Sequence, residues 1–113
     1  MRKSTCVELN GVQYPYTFGL GSMMMWECLT GLSFAGVDIA RMNVIQLNVL
    51  HYSCLRNGSE EFRYSFAEYM RMVKNRKSAK ALTEALEREV ALWNQDNATD
   101  EEEETHTDEK KNL

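Results

Sequence analysis

Several features are scarce in this 113-residue chain, and each scarcity excludes something. There are three cysteines, Cys6, Cys28 and Cys54, odd in number and without a CxxC pair. That argues against a disulfide framework and reads as reduced, small core residues in a cytosolic protein. No apolar run approaches the roughly 18–20 residues of a membrane span. Polar residues follow Met1-Arg2-Lys3 within a few positions, so no secretory signal is expected. The sequons at Asn57 and Asn97 then carry no meaning. Only two histidines are present. His51 and Cys54 stand at i, i+3, but there is no second pair to complete the four ligands of structural zinc. His106 lies in an acidic stretch and reads as solvated.

Reactive constellations are equally thin. Outside the C-terminal stretch, adjacent carboxylates occur at Glu60-Glu61, with no apolar pocket implied that would tune a pKa. Gly19-Leu20-Gly21 lacks the remaining spacing of a phosphate-binding loop. Cys28 and Cys54 have no evident His–acid partners. No enzyme activity and no cofactor are expected.

What is present is a globular balance, 43% apolar and 27% charged, of one-domain length. The charge is uneven. Residues 96–113 carry −6, while residues 1–95 carry +2. Two units follow: a helical domain with an N-terminal hairpin over 1–95, and an acidic tail over 96–113. The tail cannot bury enough apolar area to offset chain entropy and is expected to be disordered.

The opening stretch alternates with period two. Val7 and Leu9 flank Glu8, and Tyr14, Tyr16 and Phe18 share a face. Asn10-Gly11 between them is a strong hairpin signal, because the tight turn needs positive φ at both central residues. The single proline, Pro15, cannot donate to a ladder and marks an edge strand. An isolated two-stranded hairpin is not stable in water, so it must pack on the helices that follow. The fold class is α+β, mainly α, with the hairpin on three to four helices.

A first helix is expected over 20–30, closed by Gly31. Leu20, Met24 and Cys28 form one row, with Met25 and Leu29 beside it. Met23, Met24, Met25 and Trp26 make the helix apolar around most of its girth. It is either a buried helix with soft packing or an adaptable protein-binding surface, since thioethers repack readily. A connector over 32–37 leads to a second helix, capped by Asp38 and running to about residue 56. Ile39, Met42, Ile45, Val49 and Tyr52 fall on one face, and Leu47, Leu50 and Cys54 on another, which makes it central. Ser65-Phe66-Ala67-Glu68 fits a capping box, with Tyr64 and Tyr69 placed for a hydrophobic staple. Phe66, Met70 and Val73 would face inward. A break is expected over 74–78, then a last helix over 78–94. Its stripe of Leu82, Leu86, Val90 and Trp93 suits docking on a neighbour.

Arg71, Lys74, Arg76, Lys77 and Lys80, with Arg63 upstream, form a basic cluster. It is either a patch for phosphates or a solvated face that pairs with acids. The near-neutral body and the competing acidic tail favour the second.

This order of elements resembles the tail assembly chaperones of long-tailed bacteriophages. The likeness rests on Val7-Glu8-Leu9-Asn10-Gly11 with Tyr14-Pro15-Tyr16-Thr17-Phe18, which looks like the family's opening hairpin. Glu27-Cys28-Leu29-Thr30-Gly31-Leu32-Ser33 is similar to its E-x-x-T-G-x-S helix ending, and Leu47-Asn48-Val49-Leu50-His51-Tyr52 to its central helix. The resemblance covers about residues 7–93 and its motifs are short and apolar. It implies a bacterial-cytoplasmic, non-enzymatic protein that binds the tape measure protein and helps recruit tail-tube subunits. Self-association is also implied, because a long partner needs many copies. Contacts would come from Met23, Met24, Met25 and Trp26 and from the stripe Leu82, Leu86, Val90 and Trp93. The family often makes a longer frameshifted product, and Glu109-Lys110-Lys111-Asn112 is compatible with an A-rich slippery run. The alternatives are a nucleic-acid-binding regulator using Arg71 to Lys80, or a structural tail or head-completion subunit.

Overall fold

A computed structural model describes residues 4–112, with side chains described over residues 4–96. The chain forms an antiparallel hairpin of β1 (Cys6–Leu9) and β2 (Val12–Pro15) followed by four helices: α1 (Leu20–Thr30), α2 (Val44–Gly58), α3 (Phe66–Met72) and α4 (Arg76–Asn112). This is the expected α+β, mainly α class. α4 runs on through the acidic stretch to Asn112, past the end near residue 94 and into the tail for which disorder was expected; the side chains of 97–113 lie outside the described residues.

The hairpin forms as its sequence dictates. Asn10 and Gly11 take φ of 50° and 81°, and Val7 pairs with Tyr14 across the strands. Val7, Leu9, Tyr14, Tyr16 and Phe18 are all buried. Cys6 falls on the opposite, outward face and is exposed, as is Cys28 on α1; of the three cysteines placed in the core by sequence, only Cys54 is there.

α1 keeps its expected bounds and ends at Gly31 in the left-handed conformation. The next element differs from expectation. Asp38 caps only a single 3-10 turn, Ile39–Arg41, by accepting from the Ala40 amide. The chain then breaks, and α2 starts afresh from Asn43. The Asn43 side chain accepts from Gln46 N–H at 2.8 Å, and the Gln46 side chain accepts from Asn43 N–H at 3.2 Å. A side chain that satisfies the amides of a new first turn competes with continuation of the old helix. Ile45 therefore lies in the exposed first turn of α2, whereas Ile39 and Met42 are half-buried.

α2 is the central helix. Seven consecutive residues, Val49 through Leu55, are buried. Its C-terminal end is tied to the chain leaving the hairpin, where Thr17 N–H donates to Cys54 O at 3.0 Å. α1 runs antiparallel to α2. Trp26 Nε1–H donates to Gln46 O at one end, and Asn57 Nδ2–H donates to Ser22 Oγ at the other.

α3 begins with the expected capping box between Ser65 and Glu68. The Ser65 amide bonded to the Glu68 carboxylate holds that group below its ordinary pKa. The staple is replaced by an aromatic cluster, in which Tyr64 packs on Tyr14 and Phe62 while Tyr69 packs on Tyr52 and Phe66. The inner face of α3 is also rotated from expectation. Tyr69 is fully buried and donates to Asn48 Oδ1 at 2.8 Å, whereas Met70 is exposed. Residues 74–75 make the expected break. Asn75 Oδ1 accepts from Ser78 N–H at 2.9 Å, so α4 starts at Arg76 rather than Ser78.

Candidate partner-binding surface

α1 has eleven residues, and only Ser22 and Trp26 are buried. Four positions apart, they sit on one face, which lies against α2. Trp26 is the largest side chain of the helix and its indole N–H needs an acceptor when buried. Gln46 O supplies that acceptor and Phe34 meets the ring edge-on at 5.2 Å. Ser22 is small enough to sit fully sealed against α2, with its hydroxyl donating to Thr17 O.

Turning that face inward turns the row Leu20, Met24, Cys28 outward. Leu20 is 66% and Met24 63% exposed, and Cys28 is exposed. Leu29 and Leu32 continue the patch past the end of the helix, each about half exposed. Because the two helices are antiparallel, this end of α1 lies at the start of α2, where Val44 and Ile45 are 76% and 68% exposed. Met23 and Met25 flank the row and lie half-buried against the core.

The sequence-predicted contacts thus separate. Met24 is free, Met23 and Met25 are partly so, and Trp26 is in the core. The second predicted group is turned inward too. Leu82 and Leu86 are 1% and 5% exposed, and Val90 and Trp93 pack half-buried on the core. That stripe docks on the chain's own hairpin and not on a neighbour. Trp93 meets Phe18 edge-on at 5.9 Å. Glu89 fastens the contact, its two carboxylate oxygens accepting from Thr5 Oγ1 at 2.8 Å and from Phe18 N–H at 3.1 Å. Glu89 was invisible as a fastener in sequence, because its partners lie more than 70 residues away.

Sequence reasoning missed Leu20, Leu29, Leu32, Val44 and Ile45 as surface. The available signal was an excess: α1 carries more apolar residues than a single buried face can take.

The basic residues Arg71, Lys74, Arg76, Lys77 and Lys80 are all exposed around the break between α3 and α4. Lys80 pairs with Glu84 at 3.9 Å, a solvent-exposed i, i+4 pair of small energetic weight. Elsewhere, His51 and Cys54 do not converge on a shared open position. His51 Nδ1 is bonded to Tyr16 Oη at 2.8 Å, and burial pushes the Cys54 thiol up to about 12. Among the described residues no three His, Cys, Asp or Glu side chains could share a metal ion, and no helix is long and apolar enough to cross a membrane. No protein-family model, curated protein or solved structure matches this chain.

Proposed function

We propose that this protein is a non-enzymatic assembly chaperone of the long-tailed-bacteriophage type. It acts in the host cytoplasm, binds the tape measure protein and helps recruit tail-tube subunits. The observation that supports this reading is the row Leu20, Met24, Cys28, extended by Leu29 and Leu32 and neighboured by Val44 and Ile45, all on the surface of the α1–α2 pair. A long helical partner exposes apolar stripes that aggregate unless covered. A patch with an exposed methionine and two half-buried ones at its flank can repack against stripes of varied shape. The same patch serves self-association, which coating a long partner requires. In this reading Met23, Met24 and Met25 keep their proposed role, and Leu20 replaces the buried Trp26.

Co-expression with the tape measure protein tests the proposal. The expected result is a soluble complex that elutes together, and multimers of the free chain in static light scattering. A strict monomer that leaves the tape measure protein insoluble would sink it. Mass spectrometry of purified virions separates this reading from a structural tail or head-completion subunit, since a chaperone is absent from the particle.

A second reading, nucleic-acid binding, has one observation in its favour: all five basic residues between Arg71 and Lys80 are exposed. It requires retardation of DNA or RNA that weakens steeply with salt and is lost in Lys74→Gln/Arg76→Gln/Lys77→Gln.

A further inference from the structure

We propose that α4 binds the α4 of a second copy of this chain in antiparallel orientation, the basic start of each helix lying against the acidic stretch of the other. This face is separate from the α1 surface and does not depend on the chaperone reading.

Two blocks of opposite charge stand on α4 and its approach. Residues 71–80 hold Arg71, Lys74, Arg76, Lys77 and Lys80 and no acid. Residues 100–109 hold seven acids and no lysine or arginine. The basic block does nothing for its own helix. The first turn of α4 contains no acid, although its free amides favour one, so Arg76 and Lys77 stand where the helix dipole disfavours them. Among the described residues Lys80 has its pair with Glu84, while Lys74, Arg76 and Lys77 have no ion pair.

The acidic block cannot answer the basic block of its own chain. α4 is one continuous helix from Arg76 to Asn112. At about 1.5 Å per residue, residue 102 is roughly 36 Å along it from residue 78, several times the screening length of ~8 Å at physiological salt. A partner that satisfies both blocks must carry both charges at the same spacing along a rod. A second α4 does so. A polyanion such as nucleic acid suits the basic block alone and is repelled by the other.

Orientation follows from sign. Parallel copies set base against base and acid against acid. Antiparallel copies set each block against its opposite, twice, and the contact closes with two copies. Residues 100–104 are five acids in succession, more than a full helical turn, so acid falls on every side of the helix.

The midpoint fits as well. The blocks 71–80 and 100–109 are symmetric about residue 90, which puts the two-fold axis at Val90 and Ala91. There α4 forms one side of an open cleft of about 480 Å³, with Thr83, Val90, Ala91 and Asn94 on that side and Ile39 and Leu47 across from it. Thr83, Ala91 and Asn94 are exposed, and their modest size admits a second helix at the usual separation of roughly 8–10 Å. Glu87 also lines the cleft and is exposed; the two copies of it stand about 9 Å apart along the axis, where salt screens them.

Sedimentation equilibrium of the full chain tests this. The expected result is a dimer whose dissociation constant rises roughly tenfold or more between about 20 mM and about 500 mM sodium chloride. Lys74→Glu/Arg76→Glu/Lys77→Glu/Lys80→Glu should be monomeric, and so should Asp100→Lys/Glu101→Lys/Glu102→Lys/Glu103→Lys/Glu104→Lys. Mixed in equal amounts, these two reversed chains should form a heterodimer, because every block again meets its opposite. Leu20→Ser/Met24→Ser, which removes the α1 row, should keep the dimer and grow no further. A monomer at low salt overturns the proposal and leaves the basic block to nucleic acid. A dimer indifferent to salt also overturns it, as do reversed chains that pair with themselves or ignore each other. Loss of the dimer, or open-ended growth, in Leu20→Ser/Met24→Ser has the same consequence. The salt series on the wild type decides the matter even if a reversed chain fails to fold.

Discussion

α1 and α2 pack side by side, and their burial runs opposite to their composition. α1 is the more apolar helix, with one run of Met23, Met24, Met25 and Trp26, yet only Ser22 and Trp26 are buried. α2 contains His51, Tyr52, Ser53 and Cys54 in succession, and all of them are buried. The difference lies in their neighbours. α2 has α1 on one side, β2 and the chain leaving it on another, and α3 on a third, so every side of its middle turns is covered. Its polar groups remain satisfied there: Ser53 Oγ donates to Val49 O, the Tyr52 hydroxyl donates to Tyr64 O, and His51 meets Tyr16. α1 is covered mainly by α2, and what α2 does not cover faces solvent. A helix's apolar content therefore says how much surface it offers, while its neighbours decide how much of that surface is used within the chain. On α1 the remainder is the candidate partner surface.

The strongest way to break this contrast is to remove the anchor of α1. Trp26→Ala should destabilise the fold by about 3–5 kcal/mol, because a fully buried indole and its hydrogen bond to Gln46 are both lost. Urea denaturation measures it, and a cost under about 1 kcal/mol would mean that α1 is not anchored through its inner face.

The buried imidazole of α2 offers the next largest effect. His51 titrates near 6.5 when unfolded and about 4 when folded. Above pH 6.5 both states are neutral and stability is unaffected by this group. As pH falls below 6.5 the unfolded chain takes up the proton first, so stability declines until about pH 4. The full loss is on the order of 3 kcal/mol. Denaturation midpoints between pH 7 and 5 should show this slope in the wild type, and it should flatten in His51→Gln.

The two helices also start differently. Asn43 builds a capping box for α2, whereas Gly19 gives α1 no side-chain cap. Asn43→Ala should cost about 1 kcal/mol in thermal or urea unfolding. Gly19→Ala should have no comparable capping cost.

The smallest expected change in stability sharpens the comparison most. Leu20→Ser and Met24→Ser should each stay within about 0.5 kcal/mol of the wild type, since both side chains already face solvent. They should nonetheless reduce self-association in light scattering and capture of the tape measure protein. Unchanged association with unchanged stability would remove the functional meaning of the exposed row.

Much of the local architecture was legible. Asn10-Gly11, Gly31, the Ser65–Glu68 box and the break before α4 each rest on interactions within a few residues, and all appear where local chemistry places them. The split between the 3-10 turn and α2 was missed because Asp38 and Asn43 are both good caps, and the pattern of Ile39, Met42 and Ile45 runs smoothly across the gap. The Asn43–Gln46 box was readable but outweighed by that apolar period. The candidate surface was half legible. The methionine run pointed to α1, but which of its residues face outward depends on Trp26 meeting Gln46 O across the α1–α2 contact.

The sequence by itself determined the helices, their caps, the hairpin turn and the class of fold, because those follow from backbone preferences and from side chains bonding to nearby amides. Only the tertiary structure decided which apolar stripe is core and which is surface. Leu82 and Leu86 are buried against a hairpin that begins at Cys6, far away along the chain, with Glu89 reaching Thr5 and Phe18 to hold it. Leu20 and Met24 are left outside because, among the described residues, no distant element returns to cover them. Apolar surface leaves water against whatever partner the whole chain brings near, and that partner is not encoded in the spacing of any one helix.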